Sequence, residues 1–124
     1  MNLFELTESY TRILGLIKSV DDNDISQVSI FFSNRKKLII SINIDTDELN
    51  FQIYDIEEEI ISCENEFSYL INCKLIRSWI MSNHKDYQDA LQIEVVEDSF
   101  EIGYIIQFIA EASSIQIFKL DSLN

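Results

Sequence analysis

Apolar residues recur at every second position over much of this chain, and that period commits it to strands rather than helices. Leu38, Ile40, Ile42 and Ile44 alternate with Ile39, Ser41, Asn43 and Asp45. Val28, Ile30 and Phe32 do the same upstream, with Asn34-Arg35-Lys36 as a tight hairpin connection. Asp45-Thr46-Asp47-Glu48 predicts a second turn, after which Leu49, Phe51 and Ile53 alternate with Asn50, Gln52 and Tyr54. Three strands in a meander follow. The C-terminal third repeats the pattern with Leu91, Ile93 and Val95, a turn at Glu97-Asp98-Ser99, and a face of Ile102, Tyr104, Ile106 and Phe108. Ala112-Ser113-Ser114 then turns into Ile115 and Ile117. β-Branched residues dominate these runs, as a pleated and half-buried surface favours.

Two segments carry a mixed signal. Leu3, Leu6, Tyr10, Ile13 and Leu14 fall at helical spacing, and the run from Leu16 to Val20 reads as a strand. The expectation is a short N-terminal helix followed by a first strand. Between Phe67 and Met81 the spacing predicts a loop or helical turn to about Asn72, then a strand to about Ser82. In that strand Leu75, Arg77, Trp79 and Met81 define one face, with Ile76, Ser78 and Ile80 opposite. The fold class is therefore mainly β on the margin of α+β. It is an antiparallel meander of about seven or eight strands, as a bent sheet, sandwich or half-barrel. Residues 1–124 make a single domain, long enough to remove roughly two-thirds of its unfolded surface from water. Proline is absent and glycine occurs only at Gly15 and Gly103, so Asn, Asp and Ser must build the loops.

Charge narrows the functional classes. Twenty-two Asp and Glu against nine Lys and Arg give −13, yet 47% of the residues are apolar. Such a chain folds with its acid outside, and its field repels nucleic acid and anionic lipid while attracting basic proteins. No stretch reads as a secretory signal or a membrane helix, so a cytoplasmic location is expected. Cys63 and Cys73 could bridge, but a reducing cytosol favours packing thiols. Arg35-Lys36-Lys37 is the one basic cluster and is too small to bind nucleic acid; it reads as a guarded turn.

Catalytic and metal signatures are missing. His84 is the sole histidine, and neither a nucleophile elbow nor a glycine-rich phosphate loop occurs. Asp21-Asp22-Asn23-Asp24 and Asp45-x-Asp47-Glu48 offer oxygens, but neither continues into the glycine turn and distal Glu of a helix–loop–helix calcium site. No enzyme activity, cofactor or metal is expected.

What the sequence does offer is acid in groups. Asp55, Glu57, Glu58, Glu59, Glu64 and Glu66 put six carboxylates within a dozen residues. Asp45, Asp47 and Glu48 form a second group, and Glu94, Glu97, Asp98 and Glu101 a third. A solvated surface is the plain reading of such runs, but a net charge of about 2–8 in magnitude suffices for solubility and like charges oppose compaction. The first group is therefore the expected partner-binding face, with Tyr54 and Tyr69 as aromatic anchors. Trp79, Asn83, Tyr87 and Asp89 read as a structured corner, the two rings buried while Asn83 and Asp89 satisfy loop backbone groups.

The run Trp79-x-x-x-Asn83-x-x-x-Tyr87-x-Asp89-Ala90-Leu91-Gln92, late in a small acidic β-rich chain, resembles a family of short bacterial proteins. In size, charge and strand content the chain is similar to immunity proteins of contact-dependent growth inhibition and related toxin systems. The resemblance implies a cytoplasmic antitoxin that binds one basic toxin domain, commonly a nuclease, and blocks its active site. It would bind no nucleic acid or membrane and be a monomer or weak dimer when free. The alternative is a non-enzymatic structural or self-associating module whose acid serves solubility. A third reading, an acid-rich hydrolase, would show itself as stabilisation by a metal or substrate.

Overall fold

A computed structural model describes residues 11–58, 62–82, 87–97 and 102–121. The described strands are β1 (Ile13–Asp21), β2 (Asp24–Phe32), β3 (Lys36–Asn43), β4 (Glu48–Asp55), β5 (Lys74–Ser82), β6 (Gln88–Val96), β7 (Gly103–Glu111) and β8 (Ser114–Asp121). They form two antiparallel four-stranded sheets, β1-β2-β3-β4 and β5-β6-β7-β8, each a simple meander. A 3-10 helix, Asn65–Leu70, lies in the connection between them.

Period two does most of this work. Val28, Ile30 and Phe32 on β2, Leu38 and Ile40 on β3, and Leu49 on β4 face the second sheet. Leu91, Ile93 and Val95 on β6, Ile106 and Phe108 on β7, and Ile115 on β8 meet them from the other side. β2 and β3 approach β8, while β4 approaches β6 and β7. Of the architectures open to the sequence, a two-sheet sandwich is the one formed. Phe67 and Leu70 of the 3-10 helix and Cys73 join the same core.

Several turns require left-handed backbone, and only polar or small residues supply it. Asp22 and Asn23 have φ of 49° and 70°, and Ala112 and Ser113 have 52° and 62°. Two consecutive positive φ values are the mark of the two-residue turn that matches strand twist. Asp22-Asn23 tolerates this conformation through its own side-chain chemistry. Ala112-Ser113 receives outside help: Asp47 Oδ2 accepts the Ala112 N–H at 3.0 Å and Asp47 Oδ1 the Ser113 N–H at 2.9 Å.

The edge of β1 is covered. Glu64 N–H donates to Leu16 O, and the Ile13 and Leu75 amides bond across to Cys73 O and Thr11 O. This seam ties the first sheet to the start of the second and presses the Ser62 backbone onto Gly15. A Cβ at that glycine would stand 2.1 Å from Ser62 O.

Three expectations change. Ile13 and Leu14 belong to strand β1, not a helix, while Leu3, Leu6 and Tyr10 lie outside the described residues. The β5 face splits, because a register shift between Leu75 and Arg77 inserts an extra residue and reverses the alternation. Leu75 is buried, but beyond the bulge Ser78 and Ile80 oppose the core residues Ile93 and Leu91. Arg77, Trp79 and Met81 take the outer face. Ile44 and Ile102 fall outside the strands that were to include them, and are 70% and 50% exposed.

Candidate interaction surface

Built from the side chains upward, the acid-rich regions divide into carboxylates engaged within the fold and carboxylates left to solvent. At the end of β4, Asp55 Oδ1 lies 2.6 Å from Lys36 Nζ. Beside it Arg35 Nη1 donates to Glu57 O at 3.3 Å, and Ile56 N–H to Arg35 O. The sole basic cluster thus sits against the first acidic group, because β3 and β4 pair Lys36 with Asp55 and Lys37 with Tyr54. Tyr54 is 43% exposed, with Lys37 Nζ 5.8 Å from its ring centre. Glu57 and Glu58 are exposed, and Glu59 lies outside the described residues.

Glu64 and Glu66 serve the seam. Glu64 Oε2 accepts the Lys18 N–H at 3.0 Å, and Glu66 pairs with the Lys18 ammonium. Lys18 also stands over the Phe67 ring. Asp47 and Glu48 of the second group are likewise occupied, Asp47 at the β7–β8 turn and Glu48 Oε2 accepting the Gln88 N–H at 3.2 Å. These carboxylates fasten one sheet to the other. In the third group Glu94 pairs with Arg77 at 2.6 Å and Glu97 accepts the Tyr104 hydroxyl at 3.0 Å. Asp98 and Glu101 lie outside the described residues.

The β1–β2 tip differs. Asp21, Asp22 and Asp24 are all exposed, and the register sets Asp21 directly opposite Asp24. Like charges facing each other across a ladder destabilise it. Sequence reasoning weighed these residues only as calcium ligands. Among the described residues, no group of three His, Cys, Asp or Glu is arranged to hold a metal ion.

Tyr69 is half-buried rather than a surface anchor. Its ring meets that of Tyr104 edge-on with centres 4.9 Å apart, and Lys119 Nζ stands 4.8 Å and 4.9 Å from the two ring centres. Burial, then the neighbouring Tyr104, raises the Tyr69 phenol pKa above 10.0. Donation to Glu97 raises that of Tyr104, with burial adding to it. Both phenols hold their protons longer in the folded protein than in the unfolded chain, so the folded state binds more protons at high pH. Their stabilisation is complete below pH 10 and is lost as pH rises through the folded values. An alkaline titration followed at 295 nm should show these two phenolates appearing above pH 10, with stability to urea declining over the same interval.

The expected corner is only partly built. Trp79 is half-buried on the outer face opposite Gln92, and Tyr87 is 37% exposed, not enclosed. Asp89 is half-buried, and Asn83 lies outside the described residues. The bulge in β5 is the cause for Trp79, since it turns that ring away from the core. Both cysteines pack: Cys63 Sγ donates to Glu64 O and Cys73 Sγ to Tyr69 O, each at 3.4 Å.

One described concavity, about 410 Å³, is lined by Ser41, Leu49, Asn50, Phe51, Gln52, Ile80 and Gln88. Amides, a hydroxyl and apolar groups form this wall, with no titratable side chain for acid–base work. Among the described residues no helix is long and apolar enough to cross a membrane.

A family model described as "Family of unknown function (DUF6334)" matches residues 4–124, and the chain belongs to that family. No curated protein and no solved structure matches it.

Proposed function

We propose that this member of the family is a non-catalytic inhibitor that binds a basic toxin domain, of the nuclease type, as a cytoplasmic immunity protein does. The observation that carries the reading is the β1–β2 tip. Three exposed carboxylates crowd it, Asp21 against Asp24, at a cost to the ladder and in a chain already at −13. A cationic surface laid on that tip relieves the repulsion. Glu57 and Glu58, with the exposed ring of Tyr54, extend the same chemistry at the far end of the first sheet. A nuclease holds phosphates with Lys and Arg, so carboxylates on a rigid hairpin compete for those cations and exclude the substrate. Opposite net charges also speed encounter at low salt.

The partner to test is a basic nuclease-type toxin domain, sought at the C-terminal end of any large secreted protein that a neighbouring upstream reading frame encodes. Asp21→Lys with Asp22→Lys and Asp24→Lys should weaken its binding at least tenfold and flatten the dependence of affinity on salt. Glu57→Lys with Glu58→Lys should act in the same direction. Unchanged affinity and an unchanged salt slope in both variants would remove the acidic-surface mechanism.

A further inference from the structure

Among the described residues β1 and the start of β5 are tied by the seam, the rest of the β5 edge is broken by two register shifts, and β4 and β8 are the edges with unbroken pairing. β4 begins at Glu48 and ends at Asp55, so a second molecule at −13 is repelled there. β8 carries no carboxylate before its terminal Asp121, and the one other charge in the strand is Lys119. That lysine lies over the Tyr69 and Tyr104 rings. Gln116, Phe118, Lys119 and Leu120 are exposed, Phe118 at 43% and Leu120 at 38%. Neither proline nor bulge interrupts the strand, since its pairing with β7 runs unbroken from Tyr104–Asp121 to Glu111–Ser114. Edge strands with these properties are templates for further pairing.

We infer that two copies of this chain associate through β8, antiparallel about a two-fold axis, to make one continuous eight-stranded sheet. The hairpin fixes which groups are available. Glu111 and Ser114 close a two-residue turn as a bonded pair, and the ladder then alternates. The N–H and C=O groups of Ile117 and Lys119 consequently aim away from β7. A two-fold axis at Phe118 pairs Ile117 of each copy with Lys119 of the other and so avoids lysine against lysine. Phe118 meets its own counterpart in the close, non-bonded position, where aromatic pairs gain most. Leu120 and Gln116 flank it, and on β7 the half-buried Ile105 and Ile109 stand opposite these two. Least repulsion among the unbroken edges selects β8, and the strand is complementary to itself.

The test is sedimentation velocity over a concentration series at 0.15 M salt, with hydrogen exchange measured in parallel. The expected result is reversible passage from 14.5 kDa to twice that mass, with the Ile117 and Lys119 amides increasingly protected as concentration rises. Phe118→Glu sets two carboxylates face to face and should weaken dimerisation at least tenfold, while Tyr54→Glu on the β4 edge leaves it unchanged. A species that stays monomeric to millimolar concentration overturns the inference. So does a dimer that leaves Ile117 and Lys119 exchange independent of concentration, or one that survives Phe118→Glu. Should that variant unfold, the exchange result in the wild-type chain decides alone. Toxin binding is measured separately, so failure here leaves the inhibitory reading untouched.

Discussion

Gly15→Ala is expected to destabilise the fold by about 3 kcal/mol, from overpacking of roughly 1–3 kcal/mol together with weakened hydrogen bonds. The added methyl would stand 2.1 Å from Ser62 O and 2.7 Å from Ser62 C, and both are backbone atoms that cannot rotate aside. The segment would have to lift from β1. With it would go the Glu64 N–H bond to Leu16 O and the Lys18 N–H bond to the Glu64 carboxylate. No positive φ is involved, so the effect is one of space alone. Urea unfolding checks it, with Ser19→Ala, an exposed position on the same strand, expected to stay within about 0.5 kcal/mol. Equal midpoints for Gly15→Ala and the parent would mean that the seam does not pack as described.

A still larger loss, about 4 kcal/mol, is expected for Phe108→Ala. Phe108 is fully buried between Leu91 on β6 and Ile117 on β8, at the centre of the contact between the sheets. Truncation removes the transfer energy of the ring and leaves a cavity that two hydrogen-bonded sheets cannot collapse to fill. Phe118→Ala provides the contrast. That ring is on the outer face and 43% exposed, so its loss should cost under about 1 kcal/mol in dilute solution. Denaturation of both variants at one low concentration separates the two, and comparable losses would contradict the assignment of faces.

The strands were legible because alternation is a local signal. Leu38 and Ile40, or Ile106 and Phe108, need only their neighbours in sequence to show which face they bury. Trp79 was misread for the same reason. One extra residue near Arg77 reverses the phase, and nothing in the letters around it marks a bulge. The acidic groups could be counted but not sorted. Whether Glu64 faces a solvent ion or the Lys18 amide depends on a segment 46 residues away in sequence. Tyr69 looked like an exposed ring beside acid, yet Tyr104 on β7 and Lys119 on β8 stand against it.

By itself, then, the sequence determined strand periodicity, the turns around Asp47 and at Ala112-Ser113, and an acidic exterior around one apolar core. Each follows from interactions within a few residues or from composition. Tertiary structure alone decided which carboxylates fasten the sheets, why position 15 must be glycine, and which strands lie at the sheet edges. Those depend on the approach of atoms distant along the chain, which a local pattern does not encode. Asp47 shows the difference: in the sequence it is one acid among twenty-two, and in the fold it holds the Ala112-Ser113 turn in place.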